Sequence, residues 1–340
     1  MIKALINSLN KQLVQLDKSL YRYASLQIPL PENFLLSPVS FCDSFFLSRP
    51  DSAITLLGLD SLISFKAKGE QRFVTIKKDY CNALKSWHYD NPPMAFLAFA
   101  FDEQDTMEDC WQLFPNTLLT IPRILFQEKN AIQTIIVNIE LTDSYSLQTT
   151  KIEQLLTDYF SSALLNAQQQ TEQATALISI EQKEAYQHWQ SLAKNAIRQI
   201  KSGQFDKLVT SRRNSITTSE PISIAHLVHK LAHYYPCCSI FSYSTSGKTI
   251  VAASPEQLLS LQHPDIQSNA IGGTISRKKH SCKADSGAPN SLPFFLKQSS
   301  EQSSNEFFES KKLLKEHHFI SRAIYQNLDP LCYTLKMPFT

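Results

Sequence analysis

Three short apolar runs between Gln204 and Arg277 each lead into residues suited to acid–base or ligand-binding chemistry: QFDKLVTSRR, FSYSTSGKTIVAASPEQLLSL and NAIGGTISR. Runs of this length, punctuated by turn formers, fit strands better than helices. The pattern predicts strands over 205–212, 238–244, 248–253, 257–262 and 267–272, with a helix over 222–234 between the first two. Lys207, Glu256 and the Gly272–Gly273–Thr274 triplet then fall in or beside strands of one region of the fold.

The N-terminal half carries a strand signal without the same chemistry. An amphipathic first helix places Ile2, Leu5, Ile6, Leu9, Leu13 and Leu16 on one face, and Pro29, Pro31 and Pro38 then interrupt regular structure. Strands are expected over 53–59, 61–67 and 72–78. The run MAFLAFAFD (94–102) is too apolar to be half exposed, so a buried strand is expected there. Residues 111–127 and 131–141 continue the sheet pattern. Further helices are expected over 152–168, 181–202 and 307–328. In the second of these Tyr186, Trp189, Leu192, Ala193, Ala196, Ile197 and Ile200 make one apolar face, and Gly203 stands where a C-terminal cap belongs. QQQTEQATA reads as a polar linker, and 278–306 as a long surface loop. The chain divides into an N-terminal sheet-and-helix part, 1–180, and a second part, 181–340.

Hydrophobic content of 43% and charge of 19% over 340 residues describe a globular chain able to bury a large core. The net charge is +2 with no long run of one sign, so neither nucleic acid nor a membrane surface is expected as the main partner. No apolar run nears the roughly 20 residues that span a bilayer, and the first helix lacks a signal peptide's apolar stretch. Seven cysteines without CxxC spacing predict reduced thiols and a cytoplasmic location, not a disulfide framework or zinc ribbon.

Lys207 in an apolar strand would lose hydration, which favours the neutral amine and suits a general base. The plain alternative is a surface lysine on an edge strand. Glu256, after Ser254 and Pro255, sits at a strand junction where a partly buried carboxyl would serve as an acid; the alternative is a turn glutamate facing solvent. Gly272 and Gly273 allow close backbone approach to a ligand, or simply make a bulge. Glu316, within KKLLKEHHFISRAI, offers a hard oxygen ligand for Mg2+, or a solvated helix face. His226, His229 and His233 share a helical face, but no acidic general base accompanies them and a zinc site is not expected.

Taken together these segments resemble the chorismate-utilising enzymes. FLSRPDSAITLLGL, MAFLAFAFD and WQLFPNTLLTIPR are similar to that family's early sheet. HWQSLAKNAIRQIKSGQFDKLVTSR resembles its base-bearing helix and strand, IVAASPEQLL its acid-bearing segment, AIGGTISR a substrate-pocket motif and ESKKLLKEH a metal-binding helix. Amine-using members tend to have glutamine at the position of Lys207 and proline at that of Ala270. Some of them carry lysine at that of Gly272. The resemblance therefore leans to isochorismate synthase, the menaquinone type before the siderophore type, with salicylate synthase as the runner-up enzyme.

The resemblance implies an α+β fold: a layered α/β sandwich like that of anthranilate and aminodeoxychorismate synthases, with large, mostly antiparallel sheets and outer helices. It implies chorismate as substrate, Lys207 as the base that activates water for attack at C2, and Glu256 as the acid at the C4 hydroxyl. Gly273, Thr274 and Arg212 become substrate-binding positions, and Glu316 a ligand of Mg2+. The sequence departs from the family at Leu313 and Leu314, which replace a charged pair, and at Phe96–Ala98, where glycines are usual. The family pattern also continues past Pro338 with central strands and a second metal carboxylate. The fold is therefore expected to be incomplete at its C-terminus, and a catalytically impaired homologue that binds chorismate or a partner protein is the competing expectation.

Overall fold

Leu5, Leu9 and Leu13 recur every four residues in helix α1 (Ile2–Gln15), and all three are buried. Such a stripe needs an apolar sheet to lie on, and strands supply one. The computed structural model describes residues 1–17, 19–30, 35–141, 145–168, 177–179, 183–211, 213–271 and 311–336. Among them, nine strands form one sheet. In chain order these are β1 (Tyr23–Pro29), β2 (Ser44–Arg49), β3 (Ile54–Ala67), β4 (Trp87–His88), β5 (Phe96–Phe99), β6 (Thr117–Lys129), β7 (Ile132–Glu140), β10 (Ser239–Thr245) and β11 (Lys248–Ser254). The spatial order is β11-β10-β2-β3-β6-β7-β1-β4, with β5 also on β6. Only the short β1–β4 pairing is parallel. Two small antiparallel pairs lie outside it: β8 (Leu177–Ser179) with β9 (Ile216–Thr218), and β12 (Ser260–Gln262) with β13 (Asp265–Gln267).

The main core fills one face of the sheet. Helices α1, α3 (Tyr145–Gln168) and α5 (Ile224–Tyr234) cover it, burying Leu9, Ile152, Tyr159 and Val228 against Leu57, Phe126, Ile135 and Ile240. Each large aliphatic side chain buried this way contributes about 1.5–3 kcal/mol. The other face carries helix α2 (Arg72–Leu84) and an aromatic stack in which Phe45 lies 4.4 Å from Tyr243 and 5.2 Å from Phe96, centroid to centroid. Gly58 in β3 is required by that packing: a Cβ there would stand 2.9 Å from both the Phe96 ring and Pro122. The layers are those of an α+β sandwich with a mostly antiparallel sheet and outer helices. Strands from both sides of residue 180 share the sheet, since β10 pairs with β2.

Several expected elements differ. Residues 72–78 are the start of helix α2, not a strand. Arg72 and Ile76, one turn apart, take the buried positions and Val74 faces solvent, so tertiary packing overrides the β-branched composition. Of 94–102 only Phe96–Phe99 is a strand, and Leu97 and Phe99 are exposed; β5 pairs with one end of β6, and its outer face is covered only in part, where Phe99 meets Arg72 and Phe73 of α2. Residues 205–211 are not a strand. No described strand offers them ladder partners, and an extended backbone without partners is left to solvent. The strands expected over 257–262 and 267–272 shrink to β12 and β13. The expected linker falls largely outside the described residues, and the loop at 278–306 lies wholly outside them.

Helix α4 (Lys183–Lys201) forms as expected, but Tyr186, Leu192, Ile197 and Ile200 on its apolar face are exposed and only Ala196 is buried. The expected packing of that stripe is not found among the described residues.

Candidate functional site

Gly203 ends α4 in the left-handed region at φ 76°. Its N–H donates to the Ile200 carbonyl at 3.1 Å and that of Gln204 to the Gln199 carbonyl at 3.0 Å, the paired bonds of a glycine-capped helix end. The chain leaves the helix there and carries Lys207 four residues on. Lys207 is exposed. It does not lie in an apolar strand, because the strand expected around it has not formed.

Glu256 is delivered by a different element. Ser246 and Gly247, both at positive φ, close the two-residue turn between β10 and β11. β11 then runs to Ser254, and Pro255 stops it. The following segment is held by four bonds: the Ser254 hydroxyl donates to the Glu256 carbonyl at 3.4 Å, Asn269 N–H to the Gln257 carbonyl at 3.1 Å, the Ser268 hydroxyl to the Leu258 carbonyl at 2.8 Å, and Arg49 from β2 to the Gln257 side chain at 3.5 Å. Glu256 is exposed within this tethered segment.

Lys207 and Glu256 line one open hollow of about 720 Å³. Helix α6 (Lys311–Leu328) gives it Phe319, Ile320, Ala323 and Ile324, one apolar face at helical spacing, while Phe101 stands beyond the end of β5. Ser254, Ser268 and Asn269 add polar edges. An apolar hollow of this volume, with an amine and a carboxyl group at its wall, has room for a small organic molecule with polar substituents. Either group is of a type that moves protons.

Phe101 and the α6 stripe were not singled out as site residues. The signal for α6 was its i, i+1, i+4, i+5 apolar spacing, which in a sequence is indistinguishable from core. Glu316 occupies a backbone position one turn before Ile320 on the same helix, and its side chain lies outside the described residues, as do Arg212, Gly273 and Thr274 entirely. Among the described residues no group of three or more His, Cys, Asp or Glu is arranged to hold a metal ion. Ser254, Glu256, Ser268 and Asn269 bring oxygen-bearing side chains to the hollow, the donor type Mg2+ takes, but Glu256 is the one described carboxylate among them and the Lys207 amine stands beside it as a cation.

The three helical histidines separate in role. His229 is half-buried and its Nε2 lies 2.9 Å from the Ser37 hydroxyl; burial, and His226 beside it, hold its pKa below the ordinary value. The six cysteines among the described residues are free thiols, and burial pushes that of Cys42 up to about 11. No helix among the described residues is long and apolar enough to cross a membrane.

A layered α+β scaffold with an amine and a carboxyl group in the wall of one open hollow has the build of a small-molecule-binding protein. Within that class residues 32–340 match the chorismate binding enzyme family, and the chain belongs to it. It is 23% identical over 245 residues to the isochorismate synthase MenF of Bacillus subtilis, covering 68% of this chain and 51% of that protein. It is 21% identical over 285 residues to the salicylate biosynthesis isochorismate synthase of Pseudomonas aeruginosa, covering 81% of this chain and 55% of that protein. The chain thus spans about half the length of these curated relatives. The solved structure of MenF, the menaquinone-specific isochorismate synthase of Escherichia coli, superposes with a TM-score of 0.70 at 15% identity, over 96% of this chain and 68% of that one. That likeness establishes the shared fold.

Proposed function

We propose that this protein binds chorismate in the hollow and converts it to isochorismate. Lys207, as the free amine, takes a proton from water as the water oxygen bonds to C2. The two ring double bonds shift, the C4–oxygen bond breaks, and the departing hydroxyl takes a proton from Glu256 and leaves as water. One water enters and one leaves, so the step is an isomerisation without oxidant or reductant. Gly273, Thr274 and Arg212 are substrate-binding positions in this scheme. Glu316 holds Mg2+, which when bound offsets the negative charge of the substrate's carboxylates. The protein works in the cytoplasm on a small-molecule substrate, as a step towards menaquinone or a phenolate siderophore.

The observation that carries the proposal is the shared hollow: two groups 49 positions apart in sequence, one on the coil after α4 and one beyond β11, line a single space with room for a ring. Family membership and the names of its relatives supply the substrate. The test is incubation of the purified chain with chorismate and Mg2+, with isochorismate followed by chromatography. Product that disappears in Lys207→Ala and on chelation of Mg2+ supports it. No product at high protein concentration ends the catalytic assignment. A second function, chorismate binding without turnover, draws on the exposure of both Lys207 and Glu256, since a base and an acid in open solvent gain little from their surroundings. Chorismate retained in equilibrium dialysis with no product formed would select it.

A further inference from the structure

Arg72 opens helix α2 and is buried, with its residue only 6% exposed. No carboxylate pairs with its guanidinium among the described residues. Nη1 donates to the Asn116 side-chain oxygen at 2.8 Å and Nη2 reaches the Phe101 carbonyl at 3.5 Å, while Nε is buried without a partner. The rings of Phe73 and Phe99 flank it, 4.9 and 5.7 Å from the guanidinium carbon. A buried cation held by amides and ring faces is a costly way to fill space; a neutral side chain would do that at less expense in desolvation.

The contacts give it another use. Asn116, which Arg72 orients, donates to the carbonyls of Asp102 at 2.9 Å and Asp105 at 3.3 Å, and its own carbonyl accepts from Ala100 N–H at 2.7 Å. Gly69, three residues before Arg72, donates to the Glu103 carbonyl at 3.0 Å. The backbone from 100 to 105 is therefore fastened from beneath. β5 ends at Phe99, and Phe101 stands on the bend just beyond it. Phe99 meets the guanidinium, and Phe101, wholly exposed, is presented at the hollow lined by Lys207 and Glu256. A fully solvated phenylalanine on a backbone fixed this firmly leaves a ring face free for a ligand, with the exposed Leu97 and Phe99 close by in the chain.

We propose that Phe101 is the residue on which the substrate's six-membered ring rests, and that Arg72 is a positioning residue acting through it. The assignment rests on the hollow being a site for a cyclic carboxylate. An aromatic wall of this kind is worth roughly tenfold in affinity. Phe101→Ala raises KM for chorismate about tenfold with kcat within twofold, Phe101→Tyr restores KM, and Arg72→Gln reproduces the KM rise. The double variant is no worse than either single one, because both remove the same wall. Unchanged KM in Phe101→Ala, or losses that add in the double variant, overturns the proposal.

Two readouts stand apart from turnover. In Arg72→Gln, amide hydrogen exchange over 100–105 quickens roughly tenfold while that of α3 stays constant; unaltered exchange overturns the positioning role. Saturation-transfer NMR with benzoate shows ring contact in the wild type that is lost in Phe101→Ala. Equal contact in both, or none in the wild type, overturns the ring assignment. Benzoate contact that depends on Phe101, in a protein that neither binds nor converts chorismate, upholds the wall and rejects the proposed substrate.

Discussion

At His229 lost hydration sets the charge state. Burial disfavours the imidazolium and His226 adds repulsion, so the folded pKa lies below the ordinary 6.5. The unfolded chain therefore binds a proton that the folded chain refuses. This source of stability is fully present above pH 6.5 and declines as the solution is acidified through the folded pKa. Melting temperature should fall between pH 7 and pH 5, and the slope should flatten in His229→Gln, which keeps an acceptor for Ser37; equal slopes would exclude His229 as the cause. Glu256 has a different task. In the proposed scheme Glu256→Gln keeps shape and loses the transferable proton, so product formation should fall at least about a hundredfold while chorismate retention in dialysis changes little. Substantial product from Glu256→Gln would assign the acid elsewhere.

Among the elements, α1 and α4 make the instructive pair. Both have an apolar stripe legible in sequence, yet Leu9 in α1 is wholly buried against the sheet while Ile197 in α4 is more than half exposed. Leu9→Ala should cost about 2–5 kcal/mol by lost transfer energy and the cavity left behind. Ile197→Ser should stay within about 0.5 kcal/mol. Urea unfolding of the two variants measures both, and a large loss in Ile197→Ser would mean that the stripe is covered in solution. Between β3, β6 and α3 a charged anchor does similar work. Arg123 and Lys151 each lie 2.8 Å from Asp60. Burial pushes the Asp60 carboxyl up, but these two hydrogen-bonded cations hold it below the ordinary range.

For the whole molecule, the sheet's first and last strands decide how it meets its surroundings. β11 is the outermost strand on its side among the described residues, and Lys248 is its one charged member. Val251 and Ala253 pack on the core, so Ala252 belongs to the other face. An edge with a single charge at one end invites strand addition. Ala252→Lys should lower the light scattering of concentrated solutions without lowering the melting temperature by more than a degree or two. Scattering that persists would locate self-association elsewhere.

Local spacing determined the amphipathic α1, most of β6, the strands β7, β10 and β11, and the α4 helix with its glycine cap, while residues 111–116, expected as part of a strand, precede β6 as a turn. Each of these is specified by local spacing and turn chemistry. The same local signals misassigned 72–78, where burial of Arg72 and Ile76 one turn apart selects a helix, and 205–211, where extended structure requires a neighbouring strand. Lys207 and Glu256 were legible as chemistry-bearing types, but their common hollow was not, since it depends on where α6 and the segment beyond β11 come to rest. Phe101 was hidden for the same reason. Its sequence describes an apolar run, and only the tertiary structure leaves this ring facing solvent, because burial is a property of the layers around a residue and not of the residue.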